Sequence, residues 1–408
     1  MLEPLGHLIV LRVVLIVLNT YATSLDIFPE LEKRFFRTGA YIDTSYDGCL
    51  FQIEVAMTVV RRPVTAHEVA ALAGVSQSAV SRTFTKGASV SAKTREKVEK
   101  AAASLGYRPN MVARSLITRR SELIAVVVPS MANPFYSAML EALSIAFIGV
   151  GYRILLFSTA LDENSDPILE EVLRSRADAV VLVSASLSSK FADECHSIKL
   201  PVVLLNRRNA STSVSSVTSD NRLGTRTIAA FLQAGGHSRL AFMAGQDTSS
   251  TSHDRQRAFS EALAEAGMPA PQVEYGFYTF DDAVNATRRL LQQTERPDAI
   301  FCANDIMALG AINVARHEFK LEVGRELSIV GFDNIALASW PEHALTTYVQ
   351  PIERMVKRAV SIICAQLQDH GAPAIQEELA GRLIVRSSAR VPAEGVVEDN
   401  GERVWRPS

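Results

Sequence analysis

From Leu123 onward the chain carries short, nearly continuous apolar runs that alternate with amphipathic stretches. The runs are Leu123–Pro129, Arg153–Ser158, Ala179–Ser184, Val202–Asn206, Ser215–Ser219, Leu240–Ala244, Ala299–Ala303 and Leu327–Phe332. Strands buried on both faces read this way, as they do in parallel sheets. Between them Tyr136–Val150, Leu223–Ala234, Asp254–Ala266 and Ala283–Gln292 have an amphipathic, helical pattern. Such alternation predicts doubly wound α/β layers. Roughly 270 residues are too many for one sheet of ordinary size, so two lobes are expected. With 408 residues, 48% hydrophobic and 21% charged, the composition excludes a disordered chain, a collagen-like repeat and a disulfide miniprotein. No apolar run reaches the ~18 residues of a membrane-spanning helix, which excludes a polytopic membrane protein.

Charge is segregated along the chain. Between Arg61 and Arg120 there are 12 Lys and Arg against 3 Glu and no Asp, a net of +9, while the remainder carries −11. This pattern suggests a small polyanion-binding module joined to an acidic body. Before it, residues 1–56 read differently. Leu8–Leu18 is apolar except for Arg12 and is too short to span a bilayer. It has the look of a secretory segment but lacks a clear cleavage site. Met57 opens a clean domain start, and the expectation is that residues 1–60 are a non-native or disordered extension.

Catalytic and metal chemistry find no foothold. Cys49, Cys195, Cys302 and Cys364 are far apart, without a CxxC, and read as free thiols. There is no GxSxG, P-loop or HExxH motif, and the turn at Gly245 lacks GxGxxG. No enzyme activity, metal or cofactor is expected.

The basic block reads as short helices. Thr65 with Glu68 forms a capping box. Val69, Leu72 and Ala73 give the first helix an apolar stripe, and Gly74 stops it. Ser76 caps a second helix, whose Val75, Ala79 and Val80 turn back to the first. Two short helices around a glycine turn make a helix-turn-helix. The second exposes Gln77, Ser78 and Arg82, types that pair with base edges. Ser91 caps a third helix with a stripe of Val98, Ala101, Ala102 and Leu105, ended by Gly106. Lys93, Arg95, Lys97 and Lys100 suit phosphate contacts.

In the acidic body, parallel α/β strands bind ligands at their carboxyl ends. Asn133, Phe135 and Tyr136 follow the first strand, Asn206 the Val202 strand, Asn304 and Asp305 the Ala299 strand, and Asp333 the Leu327 strand. Arg255 opens a helix and Tyr278 lies in a link. Asn, Asp and Arg give directed hydrogen bonds, and aromatics give flat faces, as a hydroxylated ligand requires. Plainer roles compete: Asn304 as a helix cap, Asp333 and Asn334 as a turn, Phe135 and Tyr136 as core.

Together VTAHEVAALAGVSQSAVSRTF, VSAKTREKVEKAAASLGYRPNMVARSL, IAVVVPSMANPFY, LGTRTIAAFLQAGGHSRLAFMAG, IFCANDIMALGA, LSIVGFDN and LTTYVQP closely resemble the lactose/galactose-repressor family of bacterial transcription factors. The resemblance runs from about Val64 to Val391. It implies an all-α helix-turn-helix headpiece and a two-lobed, periplasmic-binding-protein-like core of doubly wound parallel sheets. It implies that Thr65, Ser76, Gln77, Ser78, Ser81 and Arg82 meet DNA. The segment after Asn110 is then a hinge helix that folds on operator, with Arg114 at the DNA and Leu116 wedged into the minor groove, a device that kinks the duplex. Asn133, Phe135, Tyr136, Asn206, Arg255, Tyr278, Asn304 and Asp333 fall where the family contacts its effector. Asn206 stands where many members have Asp, which leaves a carboxylate contact there in doubt.

The resulting expectation is a cytoplasmic, nucleoid-associated homodimer that binds a pseudo-palindromic operator, most simply as a repressor, under control of a sugar or sugar derivative. Its parts are 61–109 as headpiece, 110–120 as hinge, 121–393 as core and 394–408 as a frayed polar tail. The lobes are about 121–218 with 349–377, and 219–348 with 378–393. The competing reading is an exported solute-binding protein, supported only by Leu8–Leu18; an enzyme on the same fold ranks third.

Overall fold

The computed structural model describes residues 41–44, 53–56, 62, 64–85, 87–109, 120–129, 131–159, 166–185, 188–208 and 213–406. It divides into two compact units, Met1–Met111 and Val112–Ser408. Leu8–Leu18, Asn110, Arg114 and Leu116 lie outside the described residues.

In the first unit, β1 (Tyr41–Thr44) pairs antiparallel with β2 (Ile53–Ala56). This is local order inside an extension expected to be non-native or disordered. Three helices follow: α1 (Ala66–Ala73), α2 (Gln77–Thr83) and α3 (Ala92–Leu105). The predicted caps are present. The Glu68 backbone N–H donates to Thr65 Oγ1 at 3.3 Å and the Thr65 N–H donates to Glu68 Oε2 at 2.7 Å. Gly74 and Gly106 end α1 and α3 with φ of 64° and 68°, in the left-handed region that glycine enters without steric cost. Val69, Ala70, Val80, Val98, Ala101 and Ala102 form the small core, with the Phe84 and Tyr107 rings 5.7 Å apart beside it. Two stripe assignments fail: Leu72 is 57% exposed and Leu105, in the last turn of α3, is also exposed.

The second unit has two sheets, as expected. The first lobe orders its six strands β4 (Arg153–Ser158), β3 (Leu123–Val128), β5 (Ala179–Val183), β6 (Val202–Leu205), β7 (Ser215–Ser219) and β13 (Gln376–Leu379), all parallel. Along β3, Ile124, Val126 and Val128 join one core while Ala125 and Val127 join the other. Period-2 alternation thus feeds both faces of the sheet. Helix α4 (Pro134–Gly149) packs against α11 (Ile352–Gln368), while Leu169 and Val172 of α5 (Asp166–Arg174) and Phe191 of α6 (Ser189–Ser197) fill the second core.

The second lobe orders β9 (Gln272–Tyr275), β8 (Leu240–Ala244), β10 (Ala299–Cys302), β11 (Ser328–Asp333) and β12 (Thr346–Val349) in parallel. Three antiparallel strands extend it: β14 (Arg382–Ile384), β16 (Glu402–Trp405) and β15 (Val396–Asp399). Helix α7 (Asn221–Ala234) packs on α8 (Ser250–Glu265), and α9 (Phe280–Leu291) on α10 (Asp305–His317).

The tail expected to fray is therefore a hairpin that completes this sheet. Trp405 is buried and meets the Phe231 ring edge-on at 5.8 Å, and Asp399 and Glu402 pair with Arg382. A sheet that ended at β14 would leave an open edge with unpaired backbone groups. The lobe boundaries shift accordingly. Residues 376–379 belong to the first lobe, and the second continues through Trp405.

The chain crosses between lobes at Asp220, at Gln350–Pro351 and at Ala380–Gly381. These crossings touch. The Gly381 N–H donates to Tyr348 Oη at 2.8 Å, and the Tyr348 ring lies against Gly224.

Candidate functional site

Two sites stand on separate units. In the first unit, Ser76 caps α2 by accepting from the Ala79 N–H at 3.3 Å, and its hydroxyl lies 2.9 Å from that of Ser78. Arg82 Nε donates to the Ser78 carbonyl at 3.3 Å, folding the guanidinium along the helix surface. Thr65, Ser76, Gln77, Ser78, Ser81 and Arg82 are all exposed. Lys93, Lys97 and Lys100 are exposed on α3, and Arg95 is partly exposed. Its Nη1 donates to the Thr83 carbonyl at 2.8 Å and ties α3 to the end of α2.

In the second unit, a cleft lies between the lobes. All eight residues singled out from the sequence line it: Asn133, Phe135, Tyr136, Asn206, Arg255, Tyr278, Asn304 and Asp333. The topology explains the convergence. Strand order reverses at β3/β5 in one sheet and at β8/β10 in the other, and ligands bind outside the carboxyl ends at such switch points. Ser184, Arg207, Gln246, Ser249 and Thr251 complete the lining. Ser184 and Gln246 also follow strand ends, so the same rule applied to β5 and β8 would have found them. Arg207 adjoins Asn206. Ser249 and Thr251 have no signal beyond the start of α8.

Arg255 sits at the centre of the second lobe's wall. It is 2% exposed, and its guanidinium carbon lies 3.6 Å above the Phe332 ring. Nε donates to Asn221 Oδ1 at 2.8 Å, Nη1 donates to the Ala303 carbonyl, and Nη2 is buried without a partner. Burial lowers its proton affinity. Asp333 is also buried, with Oδ1 accepting from Gln350 Nε2 at 2.6 Å and a strained φ of 136°. Its carboxyl is pushed from the ordinary 3.8 up to about 8, chiefly by burial and also by the Asp305 carboxylate, against the pull of Arg255. Asp305 supports the wall from behind. Its carboxylate accepts from Thr347 Oγ1 at 2.5 Å and from the Ile335 N–H at 2.9 Å, and burial pushes it up to about 6.

The plainer roles and the lining coexist. Asn133 and Asn304 cap α4 and α10, accepting from the Phe135 and Met307 N–H groups at 3.0 Å each, and both face the cavity. Phe135 and Tyr136 are core residues with rings 5.6 Å apart, edge to face. Tyr136 is hydrogen-bonded to Ser184, and burial drives its hydroxyl well above the ordinary value. Asn206 donates to Ser184 Oγ at 2.9 Å, while its Oδ1 is buried without a partner. Tyr278 Oη lies 3.3 Å from Ser249 Oγ and 3.2 Å from Thr251 Oγ1. Gly245 is obligatory beneath it, since a Cβ there would lie 2.2 Å from the Tyr278 ring. Among the described residues no cluster of His, Cys, Asp or Glu could hold a metal ion, and no helix is long and apolar enough to cross a membrane.

The raised Asp333 carboxyl gives a pH prediction. The folded chain holds this proton more tightly than the unfolded chain does. Its contribution is complete below about pH 4 and is lost as pH rises toward 8, by up to about 1.4 kcal/mol per pH unit. Denaturant titrations of wild type and Asp333→Asn between pH 4 and 8 should diverge, with the variant falling less steeply.

Fold and site together define a DNA-binding regulator with a small-molecule sensing core. Comparison with known proteins names the family. A model of the bacterial regulatory proteins of the lacI family matches residues 65–110, and a periplasmic binding protein-like domain matches residues 229–389. Catabolite control protein A of Priestia megaterium is 30% identical over 333 residues, covering 80% of this chain and 99% of that protein. The HTH-type transcriptional repressor CytR of Escherichia coli is 30% identical over 329 residues, covering 80% of this chain and 96% of its own. Among solved structures, the Lac repressor dimer bound to operator and the anti-inducer ONPF has a TM-score of 0.73 at 27% identity. It covers 81% of this chain and 100% of that one. A CelR–cellobiose complex has a TM-score of 0.61 at 30% identity, covering 80% and 100%. The chain belongs to the LacI family of bacterial transcriptional regulators. It binds DNA and is not an enzyme, and this membership sets aside the exported solute-binding alternative.

Proposed function

We propose that the protein is a homodimeric repressor that binds a pseudo-palindromic operator and is controlled by a small-molecule effector, a sugar or sugar derivative, held between the two lobes. The observation that carries this reading is the convergence of side chains from both lobes on one buried cavity. A ligand that bridges two lobes favours whichever lobe arrangement fits it, and so biases any element coupled to their spacing. CytR is named a repressor and CelR is solved with cellobiose, which supports the repressor and carbohydrate parts. Exposed apolar side chains on both lobes support the dimer. Ile145 and Ile148 are 67% and 59% exposed on α4, and Leu156 is exposed on the outer strand β4. In the second lobe Phe277, Phe280 and Trp340 are exposed. Operator binding places the protein in the cytoplasm with the nucleoid.

On DNA, Thr65, Ser76, Gln77, Ser78, Ser81 and Arg82 form the reading surface, and Asn110, Arg114 and Leu116 form the hinge that inserts Leu116. Arg82→Ala should cost about 1–3 kcal/mol and relax specificity at one base position. Lys97→Ala should weaken all sequences evenly and lower the salt slope by about one. Binding titrations against a set of single-base operator variants at several salt concentrations separate the two. A uniform loss in Arg82→Ala would make that residue a phosphate contact instead. Sedimentation at micromolar protein tests the dimer, and a monomer with and without DNA contradicts it.

A further inference from the structure

The chemical character of the ligand can be narrowed from the charges that the cavity already holds. Of its thirteen lining residues, two are guanidinium side chains, Arg207 and Arg255, and one is a carboxyl, Asp333. Both arginines are buried, and the Nη2 of Arg255 is shut from solvent with nothing to accept its hydrogens. A buried cationic donor left this way costs free energy that a ligand acceptor would recover. Helix N-termini add to the same sign. Helices α4, α8 and α10 all begin at the cavity, through their capping residues Asn133, Ser249 and Asn304. Each brings the positive end of its dipole to the cavity edge, with the Phe135, Ser252 and Met307 N–H groups taken up by the caps. The lining's one carboxyl is outnumbered two to one by guanidinium groups, and burial disfavours its charged form. The lining hydroxyls of Ser184, Ser249 and Thr251 can donate to oxyanion oxygens or to ligand hydroxyls.

We infer that the effector is an anion, a hydroxylated compound bearing a carboxylate or phosphate group, and that Arg207 and Arg255 bind its oxyanion while the amide, hydroxyl and aromatic groups hold the rest. This rests on the reading of the cavity as the effector site. It assigns Arg207, which the sequence did not single out, a role equal to that of Arg255.

The test uses inorganic phosphate and acetate as probes on the full chain. Thermal melts are compared with sodium chloride at matched ionic strength, for wild type, Arg207→Gln, Arg207→Lys and Arg255→Met. At about ten times its Kd, a bound anion should raise the wild-type midpoint by about 2–4 °C over chloride. Both neutral variants should lose that gain, and Arg207→Lys should keep part of it, which separates lost charge from lost fold. Phosphate acting alone assigns a phosphorylated ligand, and acetate acting alone a carboxylate. No gain over chloride with either anion overturns the inference, as does a gain undiminished in both neutral variants, which would belong to the basic headpiece. Release of operator by neutral compounds through this cavity would also overturn it, while leaving the effector site standing. Anion binding at the cavity without any change in operator affinity would instead sink the effector reading and leave the anion site.

Discussion

Arg255→Met is expected to abolish the response to effector while leaving operator affinity within about twofold of wild type. Methionine keeps much of the apolar stem that lies over Phe332, but removes every donor. Asn221 Oδ1 and the Ala303 carbonyl lose their donors, and the ligand loses the Nη2 that nothing else in the protein satisfies. Truncating one partner of a buried, hydrogen-bonded charge contact costs about 2–5 kcal/mol, which is roughly 30- to 5,000-fold in affinity. The proposed reading surface, from Thr65 to Arg82, belongs to the other unit, so loss of operator binding in parallel would make Arg255 a structural residue rather than a ligand contact. Gel-shift titrations with and without an effector-active extract, alongside a thermal melt of the variant, read both quantities.

The second large effect is at a lobe crossing. Gly381→Ala would place a Cβ 1.9 Å from the Val349 carbonyl oxygen and 2.9 Å from the Tyr348 ring. The first neighbour is backbone, held in the β12–β14 ladder, and it cannot rotate aside. Relief requires the two crossings to separate, which also breaks the bond from the Gly381 N–H to Tyr348 Oη. Overpacking at a site that cannot relax costs about 3 kcal/mol or more, and the core's melting midpoint should fall by about 6–12 °C. Gly149→Ala is the control. It ends α4 with open space around it, and its midpoint should move by no more than a degree or two. Equal melting of the two variants would mean that the crossings are not packed as described.

The legible parts of this fold were those with one dominant physical signal. Continuous apolar runs marked the central strands because both faces of β3, β5 and β6 are covered. The edge strand β4 was read correctly, but other outer strands escaped notice. β13 reads QEEL and exposes alternate residues, since an edge strand has little to bury. β15 and β16 lie in a polar tail whose order rests on a few anchors, Val404 and Trp405 inside and the Arg382–Asp399–Glu402 charges outside. The strand Ser215–Ser219 was read correctly as β7 despite its polar content, and SSVTS is wholly buried. Its Ser215 Oγ accepts from Gln366 Nε2 at 3.0 Å and from the Ile375 N–H at 3.1 Å. The eight cavity residues were legible because strand ends in parallel sheets face ligands and because family motifs mark those ends. Arg207 was not, since burial of a guanidinium depends on which loop of the opposite lobe closes over it. Here its Nη2 donates to the Thr248 carbonyl at 3.2 Å. The bond from Arg95 to the Thr83 carbonyl was equally hidden, since nothing in a basic helix marks which of its cations also braces a neighbouring helix.

The central claim joins a reading surface on one unit to a sensing cavity on the other. Selection of bound DNA from a pool of randomised duplexes, followed by sequencing, tests it most directly when run with and without a small-molecule extract. The account predicts enrichment of one pseudo-palindromic site, with the degree of enrichment changed by the extract for wild type and unchanged for Arg255→Met. No enrichment under either condition, or enrichment of a site without two-fold symmetry, would contradict it.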